Sequence, residues 1–113
     1  MDNTSYFIKG KALFGGYPSD DLLKCLIDHK VKFFIDLTNE LDNLENYQHL
    51  LGKENVYLHF PISDRKYPED TIKFTRFLLK LINIIYNLQG DEKIYVHCKG
   101  GHGRAGIIVS CLL

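Results

Sequence analysis

Apolar residues along the chain fall into blocks whose period changes from one block to the next. Lys11-Ala12-Leu13-Phe14 is a short apolar run ended by Gly15-Gly16, which predicts a strand, and Tyr17-Pro18-Ser19 predicts the turn after it. Leu22, Leu23, Leu26 and Ile27 then recur at helical spacing. Ser19 or Asp20 can cap that helix, which should run to about His29. Val31 to Leu37 is β-branched and aromatic and reads as a buried strand. Thr38 is placed to cap a second, weaker helix through the Asn- and Leu-containing stretch to Leu51, with Gly52 ending it.

Val56 to Phe60 predicts another strand, closed by Pro61, and a polar loop runs from Ile62 to Tyr67. Pro68-Glu69-Asp70 suits the first turn of a long helix, because proline needs no donor there and the acids face the positive end of the helix dipole. Ile72, Phe77, Leu78, Leu81, Ile82, Ile85 and Leu88 form its apolar stripe. Phe74, Leu79 and Ile84 widen that stripe, so the helix is expected to be covered on more than one side. Gly90-Asp91 breaks it. Lys93-Ile94-Tyr95-Val96 reads as a buried strand and Ile107 to Leu113 as a buried helix; residues 1–8 are polar, then aromatic, with the first few expected to be disordered.

Strands that alternate with helices imply an α/β fold, a central mainly parallel sheet flanked by helices, with ligands at the carboxyl ends of the strands. A length of 113 residues fits one domain without internal repeats. The sequence stops inside an apolar helix, so residues 1–113 are expected to be a single domain whose C-terminal helices are missing.

Composition narrows the function more by exclusion than by suggestion. With 14 basic and 14 acidic residues the formal charge is zero, which gives no bulk argument for nucleic acid or a membrane surface as partner. No apolar run reaches transmembrane length, and Met1-Asp2-Asn3-Thr4-Ser5 lacks the basic and apolar start of a signal peptide. Three cysteines without paired spacing argue against a disulfide framework and for a reducing compartment, the cytoplasm first and the nucleus as the alternative. A monomer is expected.

The chemistry is concentrated between the last strand and the last helix. Cys98 and Arg104 stand six positions apart, and three of the five residues between them, Gly100, Gly101 and Gly103, are glycine. Glycines let the backbone curl and aim several N–H groups at one anion in front of a helix N-terminus. Arg104 adds a planar fork for two oxygens of the same anion. Cys98 would face the central atom of that anion, and a sulfur there is useful as a thiolate nucleophile. One helix terminus supplies at most ~2 kcal/mol toward holding a negative sulfur, so the amides and Arg104 must share the task. Zinc binding by His97, Cys98 and His102 is the rival reading, weakened by the lack of a second nearby cysteine.

The run His97-Cys98-Lys99-Gly100-Gly101-His102-Gly103-Arg104-Ala105-Gly106 resembles the signature loop of the cysteine-dependent protein tyrosine phosphatase superfamily, most closely its dual-specificity branch. The resemblance implies a protein tyrosine phosphatase-like sheet. It also implies hydrolysis of phosphate monoesters on proteins through a cysteinyl-phosphate, without metal or cofactor. Cys98 would be the nucleophile, Arg104 and the loop residues Lys99 to Gly103 the phosphate binders, and His97 the residue that orders the loop. An aspartate on an upstream loop would be the general acid. Asp64, 34 residues before Cys98, fits; Asp70 competes but reads as dipole compensation, and Asp36 as structural. The implied partner is a phosphoprotein carrying phosphotyrosine, with phosphoserine or phosphothreonine also admitted; Lys99 and His102 on the rim make a phosphoinositide the alternative. Ala105 departs from the Ser or Thr common at that position, as it does in the phosphatases of regenerating liver, and predicts a slow second step or a phosphate-binding module that turns over little. The thiol of Cys98 is expected to be exposed and readily oxidised.

Overall fold

The computed structural model describes residues 4–39, 42, 44–62, 71–99 and 103–112. Its strands and α-helices are, in order, β1 (Thr4–Ile8), β2 (Ala12–Gly15), α1 (Asp20–Asp28), β3 (Val31–Asp36), β4 (Val56–His59), α2 (Thr71–Tyr86), β5 (Lys93–His97) and α3 (Gly103–Leu112). The five strands lie in the order β1-β2-β5-β3-β4. β1 pairs antiparallel with β2, and every other pairing is parallel, so the expected α/β architecture with a mainly parallel sheet is what forms.

The sheet separates two cores by the alternation of side chains along each strand. Leu13, Tyr95, Phe34 and Tyr57 are in register across β2, β5, β3 and β4 and therefore share one face. There they meet Leu23 and Leu26 of α1 and Tyr47. Ala12, Ile94, Val96 and Ile35 take the other face, against Phe77 and Leu81 of α2 and Ile108 of α3. Each fully buried side chain of this size contributes about 1.5–3 kcal/mol of transfer free energy.

Local chemistry sets the helix ends. Ser19 caps α1 by accepting the Leu22 N–H at 3.2 Å, and Asp20 and Asp21 sit in its first turn. α1 stops at His29, after which Lys30 turns the chain into β3 with φ of 71°, a left-handed conformation usually left to glycine.

Several expectations need correction. No strand is read in the polar-then-aromatic start, yet residues 4–8 form the antiparallel edge strand β1. The helix predicted from Thr38 to Leu51 is not formed: the described residues there contain no α-helix, and Gln48–Leu50 make one 3-10 turn. Side chains have taken the backbone donors instead. Asp36 Oδ1 accepts from the Thr38 N–H and hydroxyl, Asp42 Oδ2 from the Asn39 N–H and Asn46 Oδ1 from the Gln48 N–H, and such short-range bonds compete with helix formation. On α2, the apolar spacing predicts cover for Ile72, Leu79 and Ile82, yet they are 66 %, 60 % and 46 % exposed. β5 runs one residue beyond its predicted end, to His97, and α3 begins at Gly103 rather than Ile107.

Candidate active site

Cys98 follows β5 directly, at the carboxyl edge of the sheet. Its N–H donates to the Gly15 carbonyl at 3.3 Å, and the Tyr17 N–H makes a longer bond, 3.5 Å, to the Lys99 carbonyl. Tyr95 fixes the same strip by donating its hydroxyl to the Gly16 carbonyl at 2.6 Å. The segment Gly15-Gly16-Tyr17 thus runs alongside the nucleophile candidate, while Ala105 and Ile108 pack in the same cluster. As a result Cys98 is only 2 % exposed, which corrects the expectation of an open thiol.

The earlier start of α3 places Arg104 in its first turn, and the side chain is 3 % exposed. Two elements aim it. Nη1 donates to Asp42 Oδ2 at 2.7 Å and Nη2 to Asp42 Oδ1 at 2.9 Å, a two-pronged contact; Nη1 also donates to the Ile62 carbonyl at 3.0 Å. Ile62 is itself anchored by donating its N–H to the Leu37 carbonyl at 3.0 Å. The hydrogen bonds from Arg104 hold the Asp42 carboxyl below its usual range. Burial opposes them, and the Asn39 N–H and the charges of Arg104 and Lys99 add to them. A buried ion pair is a weak source of net stability, because desolvation offsets its attraction, but it fixes where the guanidinium points.

Beneath the loop lies a polar layer. Gly15, His97, Asp36 and His59 are in register across four strands. His97 is fully buried, with its Nε2 2.5 Å from the Tyr47 hydroxyl. The rings of Tyr17, Tyr47 and Tyr95 surround it at centroid distances of 5.3, 5.4 and 5.5 Å. Burial pushes the imidazole down to about 4, with Asp36 pulling the other way, so His97 is neutral near pH 7. Asp36, 2 % exposed, accepts from Thr38 and from the Tyr57 hydroxyl at 2.5 Å, in keeping with a structural role. The Tyr17 phenol is raised to about 12, by burial and then by Asp36, and those of Tyr47, Tyr57 and Tyr95 are raised as well, by burial first. The neighbourhood of His97 therefore carries uncharged phenols that can hold it by hydrogen bonding and ring contact.

Of the residues singled out in the sequence, His97 and Cys98 stand at the start of the β5–α3 connection and Gly103 and Arg104 at its end, with Lys99 exposed beside Cys98. Ala105 is fully buried. Asp64, Asp70, Gly100, Gly101 and His102 lie outside the described residues. Asp42, Tyr47 and Tyr17 are site residues that sequence patterning does not single out. Asp42 and Tyr47 come from the stretch whose spacing mimics a helix, and Tyr17 from a turn that looks like punctuation.

The family model PTP-SAK, "Swiss Army Knife protein, DSP-PTPase phosphatase domain", matches residues 3–113. "Putative tyrosine phosphatase 197R" of Invertebrate iridescent virus 6 is 46% identical over 104 residues, covering 91% of this chain and 38% of its own length. "Putative tyrosine phosphatase 067L" of Invertebrate iridescent virus 3 is 40% identical over 114 residues, covering 100% of this chain and 46% of its own length. The chain thus spans less than half the length of these two relatives. Among solved structures, Tk-PTP in its active form aligns with a TM-score of 0.76 at 19% identity, over 94% of this chain and 68% of that one. PTPMT1 in complex with PI(5)P aligns at 0.72 and 20%, over 97% and 70%. TpbA of P. aeruginosa in complex with pTyr aligns at 0.63 and 18%, over 89% and 56%. At these identities the likeness concerns the fold.

Proposed function

The chain belongs to the PTP-SAK family of DSP-PTPase phosphatase domains, and from that premise we propose that it hydrolyses phosphate monoesters on proteins, phosphotyrosine first, through a cysteinyl-phosphate. The observation that carries this reading is the fixed pair at the β5–α3 connection. Cys98 sits at the end of the central strand, and Arg104 sits in the first turn of the next helix with its guanidinium clamped by Asp42 and the Ile62 carbonyl. A thiolate and an oriented guanidinium at a helix N-terminus suit in-line phosphoryl transfer, where catalysis is mostly positioning and charge stabilisation.

In the proposed first step the Cys98 sulfur bonds to phosphorus and the bond to the leaving oxygen breaks. Asp64 gives that oxygen its proton. The loop amides and Arg104 hold the equatorial oxygens. In the second step water attacks phosphorus, its proton passes to the Asp64 carboxylate, and the sulfur leaves as thiolate. His97, neutral and buried, keeps the start of the loop in place through Tyr47 rather than moving protons. Ala105 offers no hydroxyl to the departing sulfur; the loss of one such hydrogen bond costs about 1–3 kcal/mol, or roughly ten- to a hundredfold in rate. The same residue favours a second reading, a phosphate-binding module with little turnover.

Steady-state hydrolysis separates the two. Wild type, Cys98→Ser and Asp64→Ala are compared on an aryl phosphate, on phosphotyrosine and phosphoserine peptides, and on phosphoinositides. Turnover of the phosphotyrosine peptide that vanishes in Cys98→Ser and falls in Asp64→Ala supports the enzyme. Background rates in wild type, together with retained peptide binding, support the module. Preference for the phosphoinositide moves the substrate class to lipid.

A further inference from the structure

Resting on the phosphatase reading, we infer that Tyr17 is a positioning residue for Cys98: it ties the strand-to-helix turn after β2 to the segment that aims Tyr47 at His97, and so holds the nucleophile's neighbour in place. One residue makes contacts on both sides of the site. Its backbone N–H reaches the Lys99 carbonyl at 3.5 Å, one residue past Cys98. Its hydroxyl donates to the Glu45 carbonyl at 2.6 Å, two residues before Tyr47. Its ring stands edge-on to Tyr47 at 5.5 Å and to His97 at 5.3 Å.

The need for such a brace arises from the loop. Residues 44–46 are exposed and outside α-helix and strand, while Tyr47 is 4 % exposed and must be delivered into the core. Besides Tyr17, the Asn46 side chain tethers this stretch, with its amide on the Tyr57 hydroxyl at 3.2 Å and its carbonyl oxygen on the Gln48 N–H at 2.6 Å. The Asn46 amide thus ties the loop to Tyr57 of β4. The Tyr17 hydroxyl instead joins the loop to the segment lying beside Cys98 and Lys99. A phenol suits this task, because it stays protonated and donating across the pH range in which a thiolate works. Glu45 enters only through its carbonyl oxygen, so the side chain at that position is not part of the inference.

Alkylation of Cys98 by iodoacetamide across pH, read on its own peptide by mass spectrometry because Cys25 and Cys111 also carry free thiols, is the test. It is run on wild type, Tyr17→Phe, Tyr47→Phe and the double variant, beside kcat and KM on the phosphotyrosine peptide and thermal melts. Tyr17→Phe keeps the ring and removes only the hydroxyl. Its expected effect is a roughly three- to tenfold loss of Cys98 alkylation at pH 6 and a matching fall in kcat, the size of one hydrogen bond, with KM little changed. The double variant is expected to match Tyr47→Phe alone, since Tyr17 acts through Tyr47. A Tyr17→Phe profile that superimposes on wild type overturns the inference, whether or not the melt is lowered. So do effects of the two variants that simply add. If wild-type Cys98 itself alkylates like a free cysteine, the phosphatase reading falls and this inference with it; an activated wild-type thiol indifferent to Tyr17 sinks the inference alone.

Discussion

Replacing Asp42 by Asn keeps the shape of the clamp and removes its charge, which makes it a direct probe of how Arg104 is held. The two side chains, Arg104 and Asp42, are 3% and 9% exposed, so water cannot replace the lost carboxylate. Stripping one partner from a buried ion pair costs about 3–5 kcal/mol, because the other charge is left uncompensated. An asparagine oxygen in the place of Oδ2 can keep both the Arg104 Nη1 contact and the Asn39 N–H bond, so the expected cost lies near the lower end, about 3 kcal/mol. At about 4–8 °C per kcal/mol for a domain near this size, the melting temperature should drop by roughly 12–24 °C. Bound anion should then matter more to the variant than to wild type, since phosphate supplies the negative charge that Asp42 no longer does. Thermal melts with and without inorganic phosphate read both effects, and kcat on an aryl phosphate reads the third, a loss from misdirected guanidinium. A cost under about 1 kcal/mol, the range of exposed pairs, would refute the reasoning. So would equal stabilisation of both proteins by phosphate.

Three further predictions come from single features. His97 is held at about 4 by burial, against about 6.5 in the unfolded chain, so the unfolded state binds the extra proton between those values. Stability should therefore be complete above about pH 6.5 and decline as pH falls toward 4, by up to about 3 kcal/mol; the lowered Asp42 carboxyl adds a loss in the same direction at more acid pH. Urea midpoints at pH 7.5 and 5 measure it, and a pH-independent midpoint would contradict the buried neutral imidazole. Lys30 occupies a left-handed conformation, so Lys30→Gly should stabilise by about 0.5–1 kcal/mol in urea melts, with no change in turnover. Ala105→Ser should raise steady-state turnover by about tenfold and shrink any pre-steady-state burst, because the second step is the one it assists; a slower variant with the burst unchanged would mean the buried site rejects the hydroxyl.

The sheet is legible in the sequence because β3, β4 and β5 are short apolar runs. Val31 to Leu37, Val56 to Phe60 and Lys93 to Val96 need only composition and period to be recognised. β1 is hidden for the opposite reason: an edge strand paired on one side tolerates the polar start Thr4-Ser5. The stretch after Thr38 misleads because its leucines have helix-like spacing, while its asparagines and aspartates offer the backbone closer partners than a helix would. Ile72, Leu79 and Ile82 show that helical spacing tells which residues share a side of α2, not whether anything lies against that side.

The nucleophile and the guanidinium can be read from a ten-residue run because the chemistry requires them at fixed spacing along one backbone. The groups that aim them cannot. Asp42 meets Arg104 across 62 residues and Tyr47 meets His97 across 50, distances that only the parallel register of β3 and β5 turns into contact. That register sets His97 against Asp36 and puts the ends of β3 and β5 side by side. A parallel sheet presents the exits of neighbouring strands at one edge, so the support for a site after β5 comes from the segments that leave β2, β3 and β4. Gly15 to Tyr17, Asp42, Tyr47 and the Ile62 carbonyl supply it. A regular helix after Thr38 would tie up its own backbone groups, the Glu45 carbonyl that takes the Tyr17 hydroxyl among them.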